Sequence, residues 1–417
     1  MAGEVSLQCT LGKPNLPATQ TQQLAYVLIE AKPTGAVANV QMPLNFSLVL
    51  DHSGSMAGEK LQNLKEAVKL VLDQMQSQDY VSLIIFDDQA QVVSPSQPVT
   101  NTAHLKSLVD GIKDGGGTEM SKGMKLGLAE VQKALDPSRV SRILLLTDGQ
   151  TWGDEDQCQI LGGDAGRLGS PITALGLGDD WNEELLDAIA NASGGVSDFI
   201  DVPHKIQQHF QNTLRAMQAT VVNNAQLILR LVKGINPRQV WRVIPLISQL
   251  SPRALSDRDV QVHLGDLEKE QGQAVLVELL LPPRSAGSYR IAQAEISYDV
   301  PAAGLVGEKV RSDILLTFTD DLALAQQQDP RVMNLIEKVT AFKLQTRALD
   351  EAKAGDIVGA TQKLRAAVTR LLAVGETELA AVAEEEAKRL EQEGKMSDAG
   401  TKKLRYETRK LTQKLDQ

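Results

Sequence analysis

An aspartate and two serines close the apolar run in "LNFSLVLDHSGSM" (44–56), and a second aspartate closes another apolar run in "SRILLLTDG". Between them, "DGGGTEMSKG" places a threonine after three glycines. The residues are Asp51, Ser53, Ser55, Thr118 and Asp148, two carboxylates and three hydroxyls. All are hard oxygen donors, the ligand set of Mg2+ or a related hard cation such as Mn2+ or Ca2+. Two carboxylates roughly neutralise a divalent ion and leave it electrophilic. Five protein donors, some acting through water, leave an octahedral position open. Gly54 and the glycines before Thr118 let the backbone bend close to neighbouring loops.

Other chemistry fits these residues less well. Ser53 lacks the G-x-S-x-G elbow of a nucleophile, since Asp51 stands where the first glycine belongs. His52 is adjacent in sequence, but a neighbouring side chain on a strand exit points the other way. Asp51 as a phosphoryl acceptor needs a second acid two residues on, and Ser53 occupies that place. No G-x-x-x-x-G-K-[ST] phosphate loop occurs. His104, His204, His209 and His263 are scattered and read as ordinary surface or boundary residues. Asp87-Asp88 reads as an exposed turn. The acids of "WGDEDQ" (152–157) either shape specificity beside the metal or, the favoured reading, suit a helix N-terminus. Trp152 at the rim fits a contact anchor and a packing role equally.

The elements that must position these groups follow from periodicity. Over 44–220, strands and helices alternate. "LNFSLVLD", "DYVSLIIFDD", "SRILLLTDG", "PITALGLG" and "SDFIDV" read as strands, and the proline-bearing "AQVVSPSQPV" as an edge strand. Helices are expected after Met56 and near 101–113, 119–135, 155–168, 182–193 and 204–219. Such alternation means a mostly parallel sheet covered on both faces, with ligands at the carboxyl ends of its strands. Residues 221–321 change to strand-like runs separated by turns, an antiparallel sandwich. The strands "EVSLQCTL" and "QQLAYVLIEAK" within 1–43 need a surface to bury against. They are expected to complete that sandwich, with the α/β domain inserted between. Residues 322–417 read as helices over 330–353, 356–374, 376–393 and 397–415, broken near Gly355, Gly375 and Gly394. Their alternating charges suit solvated faces, and a coiled-coil seam stays open.

The whole chain of 417 residues, 42% hydrophobic, is too long for one core and too apolar for disorder. Only Cys9 and Cys158 occur, which excludes a disulfide framework and suits a reducing compartment. No apolar run is long enough to span a membrane, and the start lacks the features of a signal peptide, so a soluble, cytoplasmic protein is expected. The net charge of −10 is concentrated: residues 44–220 hold 24 acidic and 13 basic side chains, against 29 and 30 elsewhere. That acidity disfavours nucleic acid and suits cations, though solubility alone accounts for it.

The pattern DxSxS, then a glycine-preceded Thr, then a strand ending TDG, resembles the metal-ion-dependent adhesion site of von Willebrand factor A (VWA) domains. It matches over about 44–220 at Asp51, Ser53, Ser55, Thr118 and Asp148. The resemblance implies a doubly wound six-stranded sheet with one antiparallel edge, a divalent ion at these five residues, and an Asp or Glu from a protein partner in the open position. It also implies a bacterial intracellular setting, in which such domains often accompany AAA+ ATPases or phosphorylation systems. The flanking sandwich and helices are similar in layout to vesicle-coat subunits and to inter-alpha-trypsin inhibitor heavy chains. A metal-dependent protein-binding module is the leading function. The alternative is a structural scaffold whose metal only stabilises loops, and an enzyme ranks last.

Overall fold

The computed structural model describes residues 3–37 and 40–413. It divides into two compact units, one from Val40 to Thr220 and one from the residues on either side of that segment.

Three strands precede the inserted unit: β1 (Val5–Leu11), β2 (Asn15–Pro17) and β3 (Gln23–Pro33). The inserted unit then runs β4 (Leu44–Asp51), α1 (Glu59–Gln74), β5 (Tyr80–Phe86), β6 (Ala90–Pro98), α2 (Thr102–Asp110), α3 (Met120–Lys133) and β7 (Val140–Thr147). It continues with α4 (Glu155–Arg167), β8 (Ile172–Leu177), α5 (Glu183–Ser193), β9 (Val196–Ile200) and α6 (Ile206–Ala219). Its sheet has the order β6-β5-β4-β7-β8-β9. All neighbours are parallel except the edge strand β6, which runs antiparallel to β5. The proline-bearing segment is therefore the antiparallel edge.

β4 is central, and all eight of its residues are buried. Its two faces have different tasks. Phe46, Leu48 and Leu50 join one core with Leu64, Val68 and Val71 of α1 and Phe210, Leu214 and Met217 of α6. Asn45 and Ser47 face α3, where Asn45 Nδ2 donates to the Val131 carbonyl at 2.8 Å and Ser47 Oγ to the Gly127 carbonyl at 3.2 Å. These polar residues are tolerated inside because each finds a backbone acceptor. α3 comes this close because it presents glycines to the sheet. A Cβ on Gly127 would lie 2.3 Å from Val49 Cγ2, and one on Gly123 would lie 2.6 Å from Phe86.

The flanking unit resumes with β10 (Thr220–Leu231), β11 (Asn236–Ile244), β12 (Ser248–Leu250), β13 (Arg253–Ala254), β14 (Asp259–Glu268), β15 (Gln273–Leu281), β16 (Gly287–Val300) and β17 (Leu305–Thr319). Its sheets are β1-β3-β15-β11-β12 and β13-β14-β10-β16-β17-β2. β3 pairs antiparallel with both β1 and β15, so an N-terminal strand lies inside a sheet built mostly from residues beyond 220. In the second sheet β16 pairs antiparallel with both β10 and β17, while β2 adds parallel to the end of β17.

Helices α7 (Leu322–Ala325), α8 (Pro330–Lys353), α9 (Ile357–Ala373), α10 (Thr377–Glu393) and α11 (Asp398–Arg409) follow. They share a core with the sheet through Leu28, Trp241, Val243, Leu276, Val332, Leu335 and Phe342. Arg331 of α8 forks onto buried Glu30 of β3 at 2.7 and 2.9 Å. The basic last helix packs within this unit: Lys402, Leu404, Tyr406 and Thr408 are buried, and Lys338 Nζ donates to the Leu411 carbonyl at 2.8 Å. Its regular part ends at Arg409, earlier than the expected 415, and a short turn of tighter helix follows. Residues 414–417 lie outside the described ones. No described helix is long and apolar enough to cross a membrane.

The glycine face of α3 generates a prediction. Gly127→Ala should destabilise the inserted unit by about 1–3 kcal/mol through overpacking, more than the roughly 1 kcal/mol alanine brings to an open helix. Urea unfolding followed by circular dichroism reads the difference, and an unchanged midpoint would contradict the close packing.

Candidate functional site

β4 and β7 lie side by side and parallel, with Leu50 opposite Leu146, so both strands deliver their last residues to one edge of the sheet. Asp51 ends β4, and Asp148 follows the last residue of β7. Both are almost fully buried, at 0% and 2% exposure. A buried carboxylate is costly unless it is hydrogen-bonded and its charge is met. Asp51 Oδ1 accepts from Ser53 N at 2.8 Å, and its Oδ2 accepts from Thr147 Oγ1 at 2.6 Å. Burial pushes the Asp51 carboxyl above its ordinary value. The bonds from Ser53 and Thr147 oppose that shift, and the charge of Asp148 adds to it.

Asp148 is bound differently. Its Oδ1 accepts from Ser55 Oγ at 2.7 Å, and its Oδ2 accepts from the Lys60 ammonium at 2.5 Å. Ser55 Oγ lies 3.1 Å from Ser53 Oγ, which links the β4 turn to the β7 turn. Thr118 arrives at the same place: a methyl at Gly149 would stand 3.7 Å from Thr118 Oγ1 and 3.8 Å from Ser55 Oγ. The structure thus gathers all five residues singled out in the sequence. The gathering holds two buried carboxylates against one ammonium, together with three hydroxyls. Its donor chemistry fits a hard divalent cation. Among the described residues no three His, Cys, Asp or Glu side chains form a metal cluster, as expected where hydroxyls supply most of the donors.

Backbone bonds hold the loops in register. His52 N donates to the Phe86 carbonyl and Gly115 N to the His52 carbonyl, while Gly54 N donates to the Gly116 carbonyl. The His52 ring is held outside the Asp51–Asp148 network, with Nδ1 2.8 Å from the Lys113 carbonyl and Nε2 3.8 Å from Asp87 Oδ2. Gly116 must be glycine: its φ is +71°, and a Cβ there would come within 2.5 Å of Asp87 Oδ2 and 2.6 Å of Asp88 Oδ1. Asp87 therefore shapes this turn from behind, and it caps its own turn through Gln89 N at 2.7 Å.

The loop after β7 secures the start of α3. Thr151 Oγ1 accepts from Met120 N at 3.1 Å and donates to Asp154, and Asp154 Oδ2 accepts from Ser121 N at 2.7 Å. The acids of "WGDEDQ" thus serve two helix N-termini, with Asp154 on α3 and Glu155 and Asp156 in the first turn of α4. Trp152 is 77% exposed, which removes the packing role.

Three residues here escape a reading of spacing alone. Thr147 is visible only once β7 is set in register beside β4. Thr151 sits in a loop whose partner lies 31 residues earlier. Lys60 left a signal, since a basic residue in the first turn of a helix opposes the helix dipole. Thr147→Val should cost about 1–3 kcal/mol, because a buried carboxylate oxygen loses its donor. Thr147→Ser should stay near the parent. Denaturant titration in excess chelator measures both, and equal stability of the valine variant would show that the bond is not holding Asp51.

Comparison with known proteins agrees with the fold. Residues 45–213 match the von Willebrand factor type A domain, and residues 330–414 match the Sll0103-like, C-terminal alpha-helical domain. The protein sll0103 of Synechocystis sp. is 32% identical over 410 residues, covering 96% of this chain and 96% of that one. Inter-alpha-trypsin inhibitor heavy chain H3 of Homo sapiens is 30% identical over 170 residues, which is 37% of this chain but only 19% of that protein. A solved structure of von Willebrand factor type A from Catenulispora acidiphila has the same fold, with a TM-score of 0.78 at 19% identity over 97% of this chain and 96% of that one. With its VWA domain and its C-terminal helices both matched, and a relative similar along nearly the full length, the chain belongs to the sll0103-like family of von Willebrand factor type A proteins.

Proposed function

We propose that the VWA domain is a metal-dependent protein-binding module. VWA domains generally mediate protein–protein interaction, often with a metal. The observation that carries the reading is the joined cluster of Asp51, Ser53, Ser55 and Asp148, with Thr118 beside it and too little positive charge for two buried carboxylates. These five residues would hold one hard divalent ion, Mg2+ by default and Mn2+ or Ca2+ otherwise. Such an ion supplies an electrophilic position for an Asp or Glu of a partner. A carboxylate suits it because it brings a charge that an incompletely neutralised cation attracts once water is displaced. Exposed Trp152 offers an apolar contact on the same loop as Asp148. The partner classes that fit the family setting are an AAA+ ATPase or a component of a phosphorylation system, met in the cytoplasm.

The chain's own residues divide the work. Asp51, pinned by Thr147 and Ser53, would hold the ion from the end of β4. Ser53 and Ser55 would hold it from the turn after β4. Thr118 would hold it from the glycine-rich loop before α3.

The test separates binding from a purely structural metal. Asp51→Ala should abolish calorimetric uptake of Mg2+ and Mn2+ by the chelated protein. Thr118→Ala should keep the protein folded and metal-loaded while weakening partner capture. Equal heats for Asp51→Ala and the parent, or capture that persists in excess EDTA, would overturn the reading. Normal capture by Thr118→Ala would favour the scaffold role, with the metal stabilising the loops.

A further inference from the structure

Lys60 is the second residue of α1, where a positive charge meets the positive end of the helix dipole. It is nevertheless directed inward. Its side chain is 32% exposed, and its ammonium bonds Oδ2 of Asp148, whose own side chain is 0% exposed. The other oxygen of that carboxylate accepts from Ser55, so the ammonium and the two serine hydroxyls share a single network. No other lysine or arginine among the described residues is paired with Asp51 or Asp148 in that network.

An ammonium and a divalent cation cannot both sit close to one carboxylate without strong mutual repulsion in a site removed from water. Lysine suits an exchange of this kind. Its charge is a compact point on a flexible stem, and the part-exposed side chain can carry it back to solvent. We propose that Lys60 is a tethered counter-cation that competes with the divalent ion for Asp148 and thereby sets the ion concentration at which the domain becomes competent to bind its partner. This inference rests on the metal-dependent reading above and adds its control. With the ion absent, Lys60 neutralises a carboxylate that would otherwise be buried and uncompensated. With the ion present, its ammonium leaves Asp148 for the rim.

The experiment compares the full-length parent, Lys60→Met and Lys60→Arg. Methionine keeps most of the stem and removes the charge. Calorimetric titration of Mg2+ and of Mn2+ into chelated protein should show tighter binding by Lys60→Met, by a factor on the order of ten, the scale of a charge-assisted hydrogen bond. Lys60→Arg should stay near the parent. Thermal unfolding adds a readout that a merely structural lysine would not produce. In excess EDTA, Lys60→Met should melt below the parent, because Asp148 loses its partner. At saturating Mg2+ that deficit should vanish or reverse. Unchanged or weaker metal affinity in Lys60→Met, or a melting deficit equal with and without the ion, would overturn the inference while leaving the metal site standing. A parent protein that takes up neither ion would instead remove the metal-dependent reading, and this one with it.

Discussion

Two carboxylates of like charge, buried next to each other at the ends of neighbouring parallel strands, are the constraint around which the α/β unit is organised. Neither Asp51 nor Asp148 has meaningful access to water. Burial opposes ionisation of Asp51 and pushes its carboxyl upward, and the neighbouring charge of Asp148 adds to that shift. The surrounding residues answer that electrostatic problem. Thr147 and the Ser53 amide bind one carboxylate, Ser55 and Lys60 the other, and the two serine hydroxyls join them. What remains after these bonds is net negative charge at the carboxyl ends of β4 and β7, which is the physical condition for holding a cation.

Keeping such a site assembled requires rigid neighbours. β4 cannot shift, because it is hydrogen-bonded on both sides and its two faces are packed, one against α1 and α6 and the other against α3. The glycines of α3 bring that helix down onto Val49 and Phe86, and its N-terminus leads directly back to Thr118. The same helix start is tied through Thr151 and Asp154 to the loop that carries Asp148. Movement of the Thr118 loop is thereby coupled to the Asp148 loop through bonds within one unit. Thr118 and the buried Asp148 are parts of one mechanical arrangement.

The flanking unit solves a separate problem with the same rules. Its sheets bury apolar strands drawn from both ends of the chain, and α8 is fixed to β3 by apolar packing and by the Arg331 fork on Glu30. Removing Arg331 would leave buried Glu30 short of compensation, so the pair ties the position of the helices to an N-terminal strand. Basic side chains are in part committed inside the unit: Lys402 of α11 is buried, and α8 supplies Lys338 to the carbonyl of Leu411.

Much of this was legible in the residues themselves. The alternation of buried strands and amphipathic helices over 44–220 marked a doubly wound sheet, because a strand covered on both faces must be apolar throughout and a helix on a sheet apolar along one stripe. Asp51, Ser53, Ser55, Thr118 and Asp148 could be found because each sits at a strand end or after glycines, local features that survive in one dimension. The prolines of β6 marked an edge for a local reason too. What only the tertiary structure decided depends on register and on distance through space. Thr147 matters because β7 lies beside β4 in one particular register. Lys60 matters because α1 starts where its second residue reaches across to Asp148, 88 positions further along the chain. The parallel pairing of β2 with β17, and the choice of β15 as the later strand beside β3, are likewise invisible to periodicity. Residue type and spacing report which chemistry a segment can offer. Which charges meet, and so how that chemistry is balanced, is set by contacts between segments whose separation along the chain says nothing of their distance once folded.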